Sequence, residues 1–168
     1  MLVCILMPTY ERPSVIKLTM SSWVNADEVE KVIVVAESSS KESLMLYEKT
    51  LSGFGRRVLY ALNLGRLGSV NARNKLFKMA LEAGCQHALM IDDDYFLPKG
   101  SFVKVLSQYL EEMPEVGAVG GQVVVARRRS VDPDFFLNAP VPVADALSRA
   151  TGYILLDVRN GPRFAEYL

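Results

Sequence analysis

Short apolar runs alternate with helical patterns along this chain, and that order constrains the fold more than any other feature. The apolar runs predict strands over residues 2–7, 31–36, 57–62 and 88–91. Strands that alternate with helices give a parallel sheet joined by crossover helices. The first run has no polar alternation, as expected of a strand that is buried on both faces. The sequence therefore predicts an α/β fold, with a mostly parallel central sheet flanked by helices.

The helices between these strands carry start and stop signals. Pro13 suits the first turn of a helix, and the apolar stripe behind it consists of Ile16, Met20, Trp23 and Val24. A second helix is predicted over residues 42–51. Ser69 can cap a third helix, which Gly84 closes as a left-handed residue. The third helix is expected to turn four apolar side chains inward: Val70, Phe77, Ala80 and Leu81.

One helix, two strands and a loop are predicted in the rest of the chain. A helix is expected over residues 102–113, and a long strand over 116–126 with a bend at Gly120 and Gly121. A loop over residues 127–142 and a last strand over 153–158 follow.

Charge and cysteine content narrow the class of protein. The chain has 19 basic and 19 acidic side chains, and this balance disfavours nucleic acid as a partner. Cys4 lies in an apolar run and Cys85 follows a predicted helix end, so both are expected to be reduced, buried thiols. No Cys-x-x-C pair or Cys/His cluster supports a zinc site. The apolar start is too short for a signal peptide or a membrane span. We therefore expect a cytoplasmic protein, and association with the inner membrane surface stays open.

Polar clusters follow the predicted strands at the points where the strands end. They are Thr9 to Arg12, Glu37 to Ser39, Asn63 to Arg73, and Asp92 to Asp94. In a parallel sheet, ligands collect outside the carboxyl ends of the strands. The sequence therefore predicts one ligand-binding edge formed by segments that are far apart in the chain.

The run of three aspartates is the sharpest chemical signal. Clustered carboxylates repel one another unless a cation or hydrogen-bond donors compensate. Strand alternation would turn Asp92 and Asp94 the same way, with Asp93 turned aside. Such hard oxygen ligands suit Mg²⁺ or Mn²⁺, which would assist the departure of a diphosphate. The alternative is an acidic turn that caps the following helix.

Four motifs in register resemble family 2 glycosyltransferases of the GT-A (Rossmann-like) fold. They are Met7-Pro8-Thr9-Tyr10-Glu11-Arg12-Pro13, Val34-Val35-Ala36-Glu37-Ser38-Ser39, Asn63-Leu64-Gly65 with Ala72-Arg73-Asn74, and Ile91-Asp92-Asp93-Asp94. The resemblance covers about residues 2–126 and implies that residues 1–126 form a nucleotide-sugar-binding region. Residues 127–168 would then form a short or truncated acceptor-side region, within a single domain overall.

The resemblance also implies roles for individual residues. Asp94, with Asp92, would hold the metal, and a shift of one residue would give that role to Asp93. Tyr10 would lie near the base, and Glu37 would contact the base or the ribose. The residues implied in nucleotide-sugar binding are Pro8, Thr9, Tyr10, Arg12, Glu37, Arg66, Arg73, Asp92 and Asp93.

The activity that the resemblance implies is metal-dependent, inverting transfer of a sugar from a nucleoside diphosphate donor to an acceptor hydroxyl. Ala36 replaces the first of two acidic residues that the family usually has, so uridine is the first expectation and guanosine or thymidine the second. No Glu-Asp pair follows residue 126 to supply the general base. The carboxylates available there are Asp132, Asp134, Asp145, Asp157 and Glu166.

Several alternatives stay open at this point. The acceptor is unknown and could be a glycan, a lipid or a protein, and Arg127 to Arg129 would form either a solvated face or a contact with an anionic acceptor or lipid headgroup. A sugar-phosphate nucleotidylyltransferase is a second reading, although the turn after the first strand has no glycine. A non-catalytic nucleotide-sugar-binding module is the third. Taken singly, Tyr10, Arg12 and Arg73 could be structural, and a structural role is expected for His87.

Overall fold

The computed structural model describes residues 2–26, 28–95 and 102–119. The chain forms two compact units, Met1–Leu97 and Pro98–Leu168. The domain boundary predicted at residue 126, the last predicted strand and the Arg127 to Arg129 run lie outside the described residues. The candidate bases Asp132, Asp134, Asp145, Asp157 and Glu166 lie outside them as well.

A parallel sheet of four strands forms the first unit, and it confirms the predicted α/β class. The strands are β1 Val3–Tyr10, β2 Val29–Ser38, β3 Val58–Leu64 and β4 His87–Met90. Their order in the sheet is β3-β2-β1-β4, with every neighbouring pair parallel. Because β1 has β2 on one side and β4 on the other, its carboxyl end lies in the interior of the sheet edge rather than at a corner.

Helices cover the two faces of this sheet unequally. They are α1 Pro13–Val24, α2 Lys41–Ser52 and α3 Ser69–Glu82, with a short 3-10 turn at Gly55–Arg57. Helices α1 and α2 contact each other and β2, whereas α3 packs on β1 and β2. The α3 face is built on Cys4, Leu6, Ile33 and Val35, so strand alternation assigns Ile5, Met7, Val32 and Val34 to the face of α1 and α2. Each buried aliphatic side chain contributes roughly 1.5–3 kcal/mol.

The inward face of α3 differs from the prediction. Val70 and Leu81 are 71% and 77% exposed, and Phe77 is also exposed, so three of the four predicted inward residues point to solvent. Ala80 is buried against the sheet as predicted, together with Ala72 and Leu76. The helix carries two rotated apolar stripes, and the stripe with two alanines allows the closer approach to the sheet. Ser69 is the first helical residue rather than the cap, because Gly68 precedes the helix with φ +87°.

The second unit contains one helix among its described residues, α4 Phe102–Glu112, close to the predicted range. Val103 and Ser107 are buried on it, and the Ser107 hydroxyl donates to the Val103 carbonyl oxygen at 2.7 Å. Residues 116–119 are not in a strand, so the strand predicted to start at Val116 is wrong over this part. Within the described residues of both units, no helix has the length and apolar character needed to cross a membrane.

The two cysteines form a disulfide, which corrects the expectation of reduced thiols. Cys4 in β1 is bonded to Cys85 in the connection between α3 and β4, with 5.9 Å between the Cα atoms. Cys4 is paired in register with Ala88, so the parallel pairing of β1 with β4 brings the two cysteines together. A sequence separation of 81 residues gives no local signal for this pair.

Reduction of this disulfide is expected to lower the free energy of unfolding substantially. A cross-link between residues 81 apart restricts the unfolded chain, and the chain-entropy model assigns about 4–5 kcal/mol to a loop of that size. Urea unfolding of the oxidised protein, the reduced protein and the Cys85→Ser variant measures the effect. The reduced protein and the variant should unfold at the same lower midpoint. Two free thiols in the denatured, unreduced protein would contradict the disulfide.

Candidate functional site

The carboxyl ends of the four strands bring the predicted polar clusters to one edge of the sheet. Tyr10 of β1 is in register with Glu37 of β2, and Glu37 is in register with Asn63 of β3. The aspartate run follows β4 directly, on the other side of β1. The chain runs outward from β1 in both directions along the sheet, so the edge beside β1 is a topological switch point, where α/β proteins bind ligands.

A row of polar side chains lies on the α3 face of this edge. Strand alternation from the core residues of that face assigns Tyr10, Glu37 and Asn63 to it. The Arg66 guanidinium lies 5.0 Å from the centroid of the Tyr10 ring, within cation–π range. Glu37 is buried, and its Oε1 atom has no hydrogen-bond partner within the described part of the chain. A buried carboxylate oxygen without a donor is costly to maintain, and it is a group that a ligand N–H or O–H can satisfy.

The three aspartates divide into one buried and two exposed side chains. Asp93 is 0% exposed, whereas Asp92 and Asp94 are 53% and 56% exposed, in agreement with the predicted alternation. Arg73 on α3 lies 3.6 Å from Asp92, and Arg12 lies 3.1 Å from Asp94. These two arginines, both predicted site residues, partly compensate the acidic charge.

Asp93 is held by partners from the elements on the opposite face. The Thr9 hydroxyl donates to Asp93 Oδ2 at 2.6 Å, and the Thr19 hydroxyl donates to the Asp93 carbonyl oxygen at 2.9 Å. Asp93 Oδ1 forms an ion pair with the Arg12 guanidinium but makes no aligned hydrogen bond. Behind Thr9, the Tyr47 hydroxyl lies 2.9 Å from Thr9 Oγ1 and accepts from the Arg12 backbone N–H at 2.7 Å.

Burial controls the ionisation of this group. Burial raises the pKa of Asp93, and the hydrogen bond from Thr9 and the charge of Arg12 oppose the rise. Burial also raises the pKa of the Tyr47 phenol, against its hydrogen bonds with Thr9 and Arg12. The Tyr47 hydroxyl is therefore a protonated group at neutral pH, able both to donate and to accept.

Glu11 ties the turn after β1 to the turn after β2. Its backbone is left-handed, with φ +56°, and its carboxylate accepts from the Ser38 hydroxyl at 2.8 Å and from the Ser39 backbone N–H at 2.5 Å. The Ser39 hydrogen bonds are the main cause that lowers the pKa of Glu11. The Glu11 N–H donates to the Glu37 carbonyl oxygen at 3.1 Å. These contacts fix Tyr10 beside Glu37.

The aspartate pair is compatible with a divalent cation. Asp92 and Asp94 offer exposed carboxylate oxygens, the ligand type that Mg²⁺ and Mn²⁺ prefer. In the described ranges, no cluster of three or more His, Cys, Asp or Glu residues could hold a metal ion. Mg²⁺ often binds through one or two carboxylates and completes its shell with water and substrate phosphates. Two carboxylates therefore fit a cation that is shared with a diphosphate.

The described structure brings nearly all of the predicted site residues to this edge. Pro8, Thr9 and Tyr10 end β1, Arg12 precedes α1, and Arg73 is on α3. Sequence reasoning missed the supporting roles of Glu11, Thr19 and Tyr47. Thr19 and Tyr47 occur among apolar residues of amphipathic helices, and a buried polar residue at such a position is the signal that could have identified them.

Comparison with known proteins identifies the family of this chain. The family model "Glycosyl transferase family 2" matches residues 4–134, which is most of the chain. The chain therefore belongs to glycosyl transferase family 2. No curated protein matches it in sequence.

Solved structures of S. aureus TarS share its fold. TarS residues 1–349 superpose with a TM-score of 0.51 at 19% identity, covering 68% of this chain and 33% of that one. The complex with UDP gives 0.52 at 20% identity, covering 68% and 33%. The complex with UDP-GlcNAc gives 0.50 at 20% identity, covering 68% and 32%. The chain thus spans about one third of the length of these relatives.

Replacement of Arg12 by Gln is expected to destabilise the protein in a pH-dependent way. The loss at neutral pH should be about 1–3 kcal/mol, because buried Asp93 loses its ion-pair partner. Without Arg12, the already raised pKa of Asp93 rises further, and a raised pKa means stability that is lost as the pH rises through it. The difference in free energy of unfolding between wild type and Arg12→Gln should therefore be small near pH 4 and grow as the pH rises above it.

Urea unfolding of wild type and Arg12→Gln over this pH range measures the deficit. Arg56→Gln, on the exposed 3-10 turn, is the matched control and should show no such trend. A deficit that is equal at every pH would mean that Arg12 does not compensate the charge of Asp93.

Proposed function

We propose that this chain is the nucleotide-sugar-binding part of a glycosyltransferase, which moves a sugar from a nucleoside diphosphate donor to an acceptor hydroxyl with inversion. The observation that carries the proposal is the buried Oε1 atom of Glu37, which has no hydrogen-bond partner among the described residues and lies beside Tyr10, on the edge that also carries Asp92 and Asp94. The polar side chains on the α3 face of the edge (Tyr10, Glu37 and Asn63) offer a site for a base. The exposed Asp92 and Asp94 offer a site for a diphosphate and its cation.

A uridine nucleotide is the donor that we propose. Tyr10 supplies an aromatic face, and base–aromatic stacking contributes roughly 1–3 kcal/mol. Glu37 Oε1 accepts from the N–H of uracil or from a ribose hydroxyl. The TarS structures with UDP and with UDP-GlcNAc support this choice, since the same fold binds uridine nucleotides there. The Arg66 guanidinium lies over the Tyr10 ring, and we propose that it contacts the base or the diphosphate of the bound donor.

The diphosphate is proposed to lie at Asp92 and Asp94 with Mn²⁺ or Mg²⁺. A bound cation would neutralise charge that develops on the leaving diphosphate, which is Lewis-acid assistance. Asp94 would hold the cation, and Asp92 would face the ribose or share the cation. Arg12 and Arg73 already lie beside these carboxylates and add positive charge near the phosphates. The general base and the acceptor site are expected in the acceptor-side region, of which residues 127–168 would form a short or truncated part.

UDP is expected to bind only weakly when no divalent cation is present. The exposed aspartates and the diphosphate repel each other unless a cation lies between them. Calorimetric titrations of UDP in Mn²⁺ and in chelator should give dissociation constants that differ by at least a factor of about ten, which is 1.4 kcal/mol. Asp94→Asn should remove the difference and leave the fold intact, whereas Glu48→Asn, at an exposed position on α2, should keep it. Equal affinity for UDP in chelator would exclude the metal bridge.

Base selection is expected to depend on Glu37. The isosteric Glu37→Gln variant loses the charged acceptor, and the affinity for UDP should fall about tenfold. The affinities for GDP and dTDP, measured in parallel, should not fall in the same proportion. Glu42→Gln, at an exposed position in the first turn of α2, is the control. If Glu37→Gln weakens the binding of all three nucleotides equally, or of none, Glu37 does not discriminate between bases.

A further inference from the structure

Asp93 differs from its neighbours in the aspartate run because its side chain has no exposed surface and its carboxylate contacts Thr9 and Arg12. We propose that Asp93 is a positioning residue rather than a ligand, and that buried Tyr47 acts through it to hold Asp92 and Asp94 toward the substrate. This proposal rests on the proposed function for what Asp92 and Asp94 bind. The positioning itself is a property of the protein alone.

The directions of the hydrogen bonds behind Asp93 follow from the donors available. A backbone N–H only donates, so Arg12 N donates to the Tyr47 hydroxyl. A carboxylate only accepts, so Thr9 uses its single proton on Asp93 Oδ2. The 2.9 Å contact between Tyr47 and Thr9 therefore has Tyr47 as the donor. The result is a chain of hydrogen bonds that all point the same way. It runs from the Arg12 N–H to Tyr47, from Tyr47 to Thr9 and from Thr9 to Asp93.

This chain converges on one residue from several elements. Thr9 of β1 and the Arg12 guanidinium contact the Asp93 carboxylate, and Thr19 of α1 holds its carbonyl oxygen. The loop beyond is closed by two further bonds, from Tyr95 N–H to the Asp92 carbonyl oxygen at 3.3 Å and from Trp23 Nε1 to the Tyr95 carbonyl oxygen at 2.8 Å. With Asp93 fixed inward, the side chains on either side of it are the ones that reach solvent.

The same contacts argue against a ligand role for Asp93. Its side chain has no exposed surface, and a cation that reached it would have to displace both Thr9 and the Arg12 guanidinium. To separate a buried carboxylate from its partners is strongly unfavourable. Tyr47 is also fully buried, on α2, so its hydroxyl can influence a ligand only indirectly, through its partners Thr9 and Arg12, which both contact the Asp93 carboxylate.

The decisive variants are Tyr47→Phe, Asp93→Asn and the two combined. Tyr47→Phe removes one hydroxyl at the far end of the chain and keeps the ring. Tyr60→Phe removes the same group from β3, outside this chain of hydrogen bonds, and is the matched control. Two readouts are measured: UDP affinity with Mn²⁺ stoichiometry by calorimetry, and hydrogen exchange of the amides of residues 92–95.

Tyr47→Phe is expected to lower UDP affinity in Mn²⁺ about threefold to tenfold and to speed exchange at residues 92–95. Asp93→Asn should do the same and still bind one Mn²⁺ per chain with UDP, unlike Asp94→Asn. The double variant should resemble the more severe single variant, because both changes break one chain. Tyr60→Phe should match wild type in both readouts.

The opposite pattern overturns the proposal. If Asp93→Asn abolishes Mn²⁺ binding as Asp94→Asn does, while Tyr47→Phe behaves like Tyr60→Phe, Asp93 is a ligand. If wild type itself fails to bind UDP, the proposed function fails, and exchange at residues 92–95 still decides the positioning role. Should Asp93→Asn not fold, the comparison of Tyr47→Phe with Tyr60→Phe decides it alone.

Discussion

The pairing of β1 between β2 and β4 is the constraint on which the rest of the structure depends. Both faces of β1 are apolar and buried, so the strand is held by side-chain burial on two sides and by backbone hydrogen bonds on two edges. Its register sets Tyr10 opposite Glu37. Near its carboxyl end, the Thr9 hydroxyl donates a hydrogen bond to the Asp93 carboxylate. A slip of one residue in β1 would exchange these two faces and separate both pairs at once.

The two faces of the rim carry different kinds of polar group. On the α3 face, Arg66 lies over the Tyr10 ring, and the buried Glu37 Oε1 atom has no hydrogen-bond partner among the described residues, so a ligand donor can satisfy it. On the face of α1 and α2, hydrogen bonds connect Tyr47 to Thr9 and Thr9 to Asp93 in the interior. Preorganised binding sites require ligand-facing groups that are supported from behind by hydrogen-bonded interior residues, and this edge has that arrangement. Arg12 joins the two, because its backbone belongs to the network and its guanidinium also reaches exposed Asp94.

Local pattern was sufficient for the strands of the first unit and for the edge where the site lies. Apolar runs identified β1, β2, β3 and β4 to within a few residues, and parallel topology then implied that their polar ends converge. The alternation of the three aspartates was also predictable, since it needs only the direction of successive side chains. The rotation of α3 was not, because two apolar stripes compete on that helix and the choice depends on how closely alanines approach the sheet.

Features made by residues far apart in the chain were beyond local reasoning. The bond between Cys4 and Cys85 depends on the neighbourhood of β1 and β4, and the contacts of Asp93 depend on three elements meeting. Glu11 has a left-handed backbone, which glycine or asparagine would normally signal, so its role was hidden by its residue type.

The disulfide also has a topological consequence. It closes a covalent ring that begins in β1 and ends just before β4, and this ring contains α1, β2, α2, β3 and α3. A protease that cuts any one loop within the ring would leave the two pieces joined, with each strand of the sheet still tethered to its neighbours. The half of the site formed by Tyr10, Glu37, Arg66 and Arg73 lies inside the ring, so a single nick would not release any of these side chains from the others.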